Sequence, residues 1–198
     1  MNTGDTLLPA AKKMDKDALS QIFDRYAPAI YNYILRHCQD PVLADQLVGD
    51  VFANLLEQFS AGAGPVSNLR AYLYETAFHF IVDETRYVHR RVSIEITDFF
   101  PVHENSPQIA LENQMELEAI WEAMIRLSPF QRHVIILRIL EGFSLKETAA
   151  ILGRSVDSIK VTQFRAMAAL RSALAHKRIL PVVPGISETK IALGAAVA

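Results

Sequence analysis

The side chains best suited to chemistry lie near the end of the chain, in residues 144–160 and in the helix that continues from them. That helix is predicted to offer hydroxyls and cations to solvent, the groups that bind phosphates and the edges of bases. They are Ser158, Lys160, Thr162 and Arg165. The chemistry that this pattern favours is binding to DNA.

Two short helices joined by a tight turn would position these side chains. Ser144 and Ser155 can each cap the free backbone amides that begin a helix, and Glu147 completes a capping-box pattern with Ser144. Gly153 lies where the turn between the helices needs a residue that tolerates positive φ. The pattern predicts a helix-turn-helix that binds DNA. On this segment alone, an ordinary helical hairpin in an all-α core stays open as an alternative.

Composition favours an ordinary globular protein. Of 198 residues, 51% are apolar and 21% charged, and the single Cys38 excludes a disulfide framework or a multi-cysteine zinc site. Residues 179–198 are fairly apolar, but prolines and charges interrupt them, so no membrane insertion is expected. No secretory signal is recognisable, and we expect a cytoplasmic protein.

The charges are distributed unevenly along the chain. Residues 143–178 hold seven Lys or Arg and two acids, whereas residues 92–118 hold six acids and no Lys or Arg. A basic C-terminal part beside an acidic connector favours a polyanionic partner for the former, although a solvated basic face is the plain alternative.

Hydrophobic periodicity predicts helices almost throughout. A helix over 15–38 is expected to kink or break at Pro28, and the next begins at Asp40-Pro41. Residues 60–68 are expected to form a loop, and a third helix runs over 69–89. A helix from Ser128-Pro129 to Gly142 precedes the helix-turn-helix. The predicted fold is all-α, with two helical bundles joined by a flexible acidic linker. The domains are a tail (1–14), a first bundle (15–91), the linker (92–114), the helix-turn-helix bundle (115–178) and an extension (179–198).

Two sets of motifs, in the right order, resemble the extracytoplasmic-function sigma factors of bacterial RNA polymerase. In the C-terminal half, residues 127–132 resemble the family's leucine-proline-x-x-x-arginine entry, and residues 137–149 and 158–166 resemble its helix-turn-helix. In the N-terminal half, residues 23–31, 40–52 and 69–86 resemble the three helices of its first domain. The resemblance covers roughly residues 17–176.

The resemblance implies an RNA polymerase subunit that directs promoter-specific initiation, with no enzymatic activity and no cofactor. The implied partners are core RNA polymerase, through its β′ clamp and β flap, and promoter DNA. Control is implied to come from an anti-sigma factor or from the C-terminal extension. The implied residues for the upstream element are Ser155, Ser158, Lys160, Val161, Thr162, Phe164 and Arg165. Those for the minus-ten element and melting are Asn68, Tyr72, His79, Arg86, Arg90 and Arg91, and those for polymerase are Asp45, Leu47, Asp50 and Phe52.

Some positions depart from the family pattern. Tyr72 stands where tryptophan is common, and Phe78-His79 where arginine-asparagine is common. Glu75 also stands where a basic residue is common, and together these departures weaken the positive charge of the melting surface. In the recognition helix, Val161, Thr162 and Gln163 replace the more usual serine, arginine and apolar residue. Gln163 is expected to face inward and to be half-buried.

The sequence also bears on two other function classes, a metal-dependent enzyme and a one-component transcription regulator. His79 with Asp83, and His37 beside Cys38, suggest a metal site, but no third ligand follows at a recognisable spacing, so an enzyme is disfavoured. A one-component transcription regulator with an N-terminal sensing bundle explains residues 127–176 equally well. It does not explain residues 40–52 followed by the glycine loop.

Overall fold

A computed structural model describes residues 3–91 and 119–176, with side chains over 5–85 and 119–175. The described residues form helices α1 (Thr3–Ala11), α2 (Lys16–Cys38), α3 (Pro41–Ser60) and α4 (Leu69–Arg91), then α5 (119–125), α6 (Pro129–Ile135), α7 (Leu145–Ile151) and α8 (Val156–His176). Every regular element in these ranges is helical, which confirms the predicted fold class. The chain divides into two compact units, with the division near residues 99–100.

Helix α2 runs unbroken through Pro28, which excludes the break that this proline could have caused. It begins at Asp15, whose side chain accepts a hydrogen bond from the Ala18 amide at 2.8 Å, and it ends at Gln39 in the left-handed region. Pro28 and Asp24 are both exposed. The Asp24 carbonyl, which would have paired with an amide at position 28, can therefore bond to water, and this lowers the cost of proline inside the helix.

Helix α1 occupies a segment that the sequence predicted to be a tail. It packs against α2 and α4, and its Leu8 and Ala11 side chains are buried. The Asp5 side chain also accepts a hydrogen bond from the backbone amide of Leu69, the first residue of α4, at 3.0 Å. Tertiary contacts therefore stabilise a nine-residue helix that would be marginal in isolation.

Helices α2, α3 and α4 enclose the core of the first unit. The Tyr33 and Tyr74 rings are fully buried and meet edge to face, with centroids 5.1 Å apart. Helix α3 begins as predicted, because Asp40 accepts hydrogen bonds from the Val42 and Leu43 amides and Pro41 takes the first helical position.

The second unit is built around α8. Helix α6 continues directly into a π-helical turn, Ile136–Leu140, and α6 and α7 both pack against α8. On α8, Ile159 and Ala166 are fully buried. Buried apolar side chains from the preceding helices complete this core: Val134, Ile135, Ile136, Leu137, Phe143, Ala149 and Leu152.

The predicted linker (92–114) and extension (179–198) lie outside the described residues, as does any short strand near 93–96. Within the described ranges, no helix combines the length and the apolar character needed to cross a bilayer.

Candidate nucleic-acid interface

The helix-turn-helix has the local geometry that the sequence predicts. The Ser144 hydroxyl accepts from the Glu147 amide at 3.2 Å, and the Glu147 carboxylate accepts from the Ser144 amide at 2.8 Å, which completes the capping box. Gly153 has φ +59°, and the Ser155 hydroxyl accepts from the Ser158 amide at 3.2 Å. Both helices therefore start at a satisfied cap and are joined by a left-handed residue.

The outward face of α8 combines two cations with two apolar side chains. Lys160 and Arg165 are exposed, and beside them Val161 and Phe164 are 49% and 75% exposed. Ser155 is exposed, and Ser158 and Thr162 are half-buried. Lys160 Nζ lies 3.4 Å from an Asp157 carboxylate oxygen, but both groups are largely solvated, so this ion pair is weak and gives way readily to a phosphate.

An open cleft lies between α7 and the start of α8. Its walls are formed by Ala149, Ala150, Gly153, Arg154, Ser155 and Ser158. Apart from Arg154, the side chains that line the cleft are small, so a polynucleotide backbone could approach the peptide groups at the start of α8. The Arg154 guanidinium lies 5.7 Å from the centroid of the Phe130 ring, which connects the turn to the start of α6.

Hydrogen bonds on the inner side of α8 fix its orientation. Gln163 is half-buried, as the sequence predicts, and its Oε1 accepts from Arg138 Nε at 3.1 Å. Arg138 also donates from its terminal nitrogen to the Phe143 carbonyl. One guanidinium on the π-helical turn therefore bonds both the recognition helix and the connection that leads into α7. The polar Gln163 at an inward position has its explanation in this contact.

A second arginine holds α5 against α6. Arg132 Nε and its terminal nitrogen donate to the Met124 and Ile125 carbonyls, at 3.2 and 2.8 Å. These carbonyls belong to the last turn of α5, whose carbonyl groups lack helical partners. Burial lowers the pKa of Arg132 from its ordinary value. The arginine of the 127–132 motif thus serves as a cap for the preceding helix.

In the first unit, the residues predicted to meet the minus-ten element differ in their accessibility. Asn68 has φ +52° and its side-chain oxygen accepts from the Ala71 amide at 3.3 Å, so it caps α4. The half-buried Tyr72 donates its hydroxyl to Asn54 at 3.0 Å, and burial raises its pKa. His79 is exposed. The side chains of Arg86, Arg90 and Arg91 lie outside the described residues.

The residues predicted to bind polymerase divide between the surface and the core. Asp45 and Asp50 are exposed on α3, whereas Leu47 and Phe52 are buried. Burial makes Leu47 a packing residue in this structure. Phe23, which belongs to none of the predicted sets of site residues, is exposed on α2.

Phe23 contributes an exposed apolar surface between α2 and α3. Its side chain is 46% exposed, and its ring centroid lies 4.8 Å from that of Phe52. Leu56, one turn beyond Phe52 on α3, is 37% exposed. Phe52 is therefore the floor of a small apolar patch whose accessible part comes from Phe23 and Leu56.

The cysteine and histidine pairs do not form a metal centre. His37 Nδ1 donates to the Tyr33 carbonyl at 2.8 Å, and burial, with smaller contributions from Glu84 and Asp40, raises the pKa of Cys38 to about 12. Across the part of the chain whose side chains are described, no three His, Cys, Asp or Glu residues are grouped as metal ligands.

Two family models match this chain, one in each unit. The model "Sigma-70 region 2" matches residues 22–91, and "Sigma-70, region 4" matches residues 117–170. Together these ranges cover more than half of the sequence.

Relatives of known function match over most of the chain. The ECF RNA polymerase sigma factor BldN of Streptomyces coelicolor is 25% identical over 170 residues, which are 85% of this chain and 64% of BldN. The RNA polymerase sigma factor YlaC of Bacillus subtilis is 25% identical over 169 residues, which are 82% of this chain and 95% of YlaC.

Solved structures show the same fold. The sigma factor RpoE of Bartonella quintana, in complex with the anti-sigma factor NepR, has a TM-score of 0.65 at 25% identity and covers 79% of this chain and 96% of RpoE. CnrH, in complex with the cytosolic domain of CnrY, has a TM-score of 0.66 at 22% identity and covers 88% and 99% of the two chains.

Proposed function

Because the chain belongs to the sigma-70 family of RNA polymerase sigma factors, in its extracytoplasmic-function group, we propose that it binds core RNA polymerase and selects promoters through both of its units. The observation that carries this proposal is a region 2 match followed by a helix-turn-helix whose recognition helix exposes cations and apolar side chains together. Its place of work is then the bacterial cytoplasm, beside the polymerase.

Helix α8 reads the upstream element in the major groove. Lys160 and Arg165 supply the cations for phosphates or guanine edges, and Ser155 and Ser158 lie at the start of the helix, where a phosphate can approach. The exposed Val161 and Phe164 side chains carry no hydrogen-bonding group, so they suit thymine methyl groups. Thr162 lies half-buried at the edge of this face.

The connection between α3 and α4 receives an unpaired base of the minus-ten element, and α4 meets the melting strands. Tyr72 and His79 are partly or fully accessible on α4, and the basic residues Arg86, Arg90 and Arg91 follow them along the chain. Aromatic rings and cations are the groups that hold extruded bases and single strands.

Polymerase binding is assigned to α3. Asp45 and Asp50 present carboxylates to the β′ clamp, while Phe52 supports the patch formed with Phe23. The acidic residues of 92–114 suit a polymerase channel that ordinarily holds RNA phosphates. The second unit then reaches the β flap.

The activity of the chain is controlled either by an anti-sigma factor or by its own C-terminal extension. Because RpoE of Bartonella quintana is described in complex with an anti-sigma factor, an anti-sigma factor is one candidate regulator for this chain. The extension 179–198 is the other. In either case the chain acts by binding, without catalysis and without a cofactor.

The test is reconstitution with core RNA polymerase, using a promoter identified by transcript mapping after overproduction. The purified chain is expected to bind core enzyme and to direct a transcript from that promoter. Lys160→Ala and Arg165→Ala should each weaken promoter use by about 5- to 100-fold, because each removes a phosphate or base contact, while core binding stays unchanged.

Arg171→Ala is the matched control, since Arg171 is an exposed cation on the same helix but lies beyond the cleft at the start of α8. It should leave promoter use unchanged within about threefold, because a surface substitution outside that cleft changes free energies by only about ±0.5 kcal/mol. A chain that binds duplex DNA tightly alone but ignores core polymerase would contradict the proposal and favour the one-component regulator.

A further inference from the structure

Two side chains from distant parts of the sequence cap the start of α4. Asn68 accepts from the Ala71 amide at 3.3 Å, and Asp5, on α1, accepts from the Leu69 amide at 3.0 Å. The first amides of a helix have no helical partner, so each bond satisfies a group that otherwise needs water. Asp5 is half-buried, and the acceptor that it supplies comes from 64 residues earlier in the chain.

The N-terminal segment contacts both ends of the connection between α3 and α4, residues 61–68. At its beginning, the Ser60 hydroxyl lies 3.9 Å from the Met14 sulfur, just after α1. At its end, Asp5 binds Leu69. Helix α1 is itself fixed in place, because Leu8 and Ala11 are buried against the rest of the first unit.

The 61–68 connection is anchored from inside as well. Pro65 is buried, and Gly64, with φ +88°, approaches the Phe59 ring. Val66, by contrast, is 88% exposed. The connection is therefore a loop with fixed ends and an accessible tip, and the bond from Asp5 is one of the contacts that set where its end lies.

We propose that Asp5 is a positioning residue for promoter recognition, which holds the 61–68 loop in the geometry that receives an unpaired base. This inference rests on the proposed function, in which that loop reads the minus-ten element. Asp5 acts through the Leu69 amide and does not itself touch DNA. Helix α1 is thereby a working part of the promoter-reading unit.

The chemistry of the contact predicts how substitutions differ. Asp5→Asn keeps an oxygen acceptor at the same reach and loses only the charge, whereas Asp5→Ala removes the acceptor. Asp17→Ala is the control, because Asp17 is an exposed acid near the start of α2 in the same unit.

The experiment measures transcription by the full chain with core polymerase, from the mapped promoter and from two altered promoters. One promoter carries a substitution in the minus-ten element and the other a substitution in the upstream element. For Asp5→Ala, the preference for the native minus-ten sequence should fall by about fivefold, the factor that corresponds to a lost cap. The preference for the native upstream sequence should not change, and Asp5→Asn and Asp17→Ala should resemble the unsubstituted chain.

A merely structural role gives a different result. If Asp5→Ala lowers transcription from all three promoters by the same factor, the positioning role is wrong. If the unsubstituted chain has no minus-ten preference at all, the proposed function fails before Asp5 is considered. If Asp5→Ala does not bind core enzyme, the comparison is repeated with Asp5→Ser. The serine hydroxyl is too short to reach the Leu69 amide in the same geometry, but it keeps a polar residue in the first turn of α1. An unchanged minus-ten preference in Asp5→Ser would overturn the inference.

Discussion

The contact between Arg138 and Gln163 makes a quantitative prediction for the second unit. Arg138→Met removes a guanidinium that donates to the Gln163 side chain at 3.1 Å and to the Phe143 carbonyl. Hydrogen bonds to charged groups contribute about 1.5–3 kcal/mol each, and the half-buried setting lets water replace part of that. We expect Arg138→Met to lower the free energy of unfolding of this unit by about 2–4 kcal/mol.

Gln163→Met should cost much less. It removes one partner of the guanidinium, leaves the bond to the Phe143 carbonyl in place, and puts an apolar side chain at a half-buried position. We expect a loss of about 0–1 kcal/mol. The double variant should be more stable than the sum of the single effects predicts, with a coupling free energy of about 1 kcal/mol.

The chain offers a probe that reports on this unit alone. Its single tryptophan, Trp121, lies on α5, so urea unfolding of the full chain followed by tryptophan fluorescence measures the second unit. Glu141→Ala is unsuitable as a control because Glu141 has contacts of its own, whereas the exposed Arg171→Ala removes a cation without touching the network. A coupling free energy below about 0.3 kcal/mol, which is within the additivity of independent sites, would refute the reasoning.

Three further predictions concern the first unit. Gly64→Ala should lower the free energy of unfolding, measured by thermal denaturation, by about 1–3 kcal/mol. Gly62→Ala should cost clearly less, because both glycines have positive φ but only at Gly64 would a Cβ lie 3.1 Å from the Phe59 ring. Equal losses in the two variants would mean that the Phe59 ring moves away without cost. Cys38 should react with a thiol reagent at pH 8 about a thousandfold more slowly in the folded chain than in urea, because burial raises its pKa to about 12. The free energy of unfolding should also fall as the pH rises from the pKa of the unfolded thiol toward 12, because only the unfolded chain then releases the proton. Equal reaction rates in the folded and unfolded states would contradict this prediction. Asp40→Ala should lower the free energy of unfolding by about 1 kcal/mol in urea titrations followed by circular dichroism, because it removes the acceptor that caps α3. Asp40→Asn keeps an oxygen acceptor and should leave the free energy of unfolding nearly unchanged. An equal loss in the two variants would contradict this role of the cap.

Much of the helix-turn-helix could be predicted because its determinants are local. The capping box at Ser144 and Glu147, the left-handed Gly153 and the cap at Ser155 each depend on residues within a few positions. Such short-range bonds are written directly into residue types and spacing. The same holds for Asp40-Pro41 at the start of α3.

The failures have the opposite cause. Helix α1 contains Pro9, and burial of Leu8 and Ala11 against other helices stabilises it. Pro28 is tolerated because it lies with Asp24 on the exposed face of α2, which the sequence does not show. Phe23 has the helical spacing of the buried residues of α2, yet its side chain is 46% exposed.

Gln163 lies between these cases. Its inward position and half-buried state followed from the helical period and were confirmed. Its partner, Arg138, lies 25 residues earlier and reaches Gln163 from a π-helical turn, which no local pattern indicated. Periodicity therefore located the polar side chain, and only the folded unit identified what satisfies it.

The residues that hold α8 and the start of α4 in place are distinct from those that we propose to meet DNA. Arg138 bonds α8 and the Phe143 carbonyl from inside, and Asp5 bonds the start of α4 from a separate helix, whereas Lys160 and Val161 are left to solvent. A substitution in an outward residue removes one contact and should change the preference at one base. A substitution in a supporting residue shifts a whole element and should weaken several preferences of that element together while sparing the other element. The pattern of lost preferences across a promoter thus separates the two classes, even where the overall loss of transcription is the same.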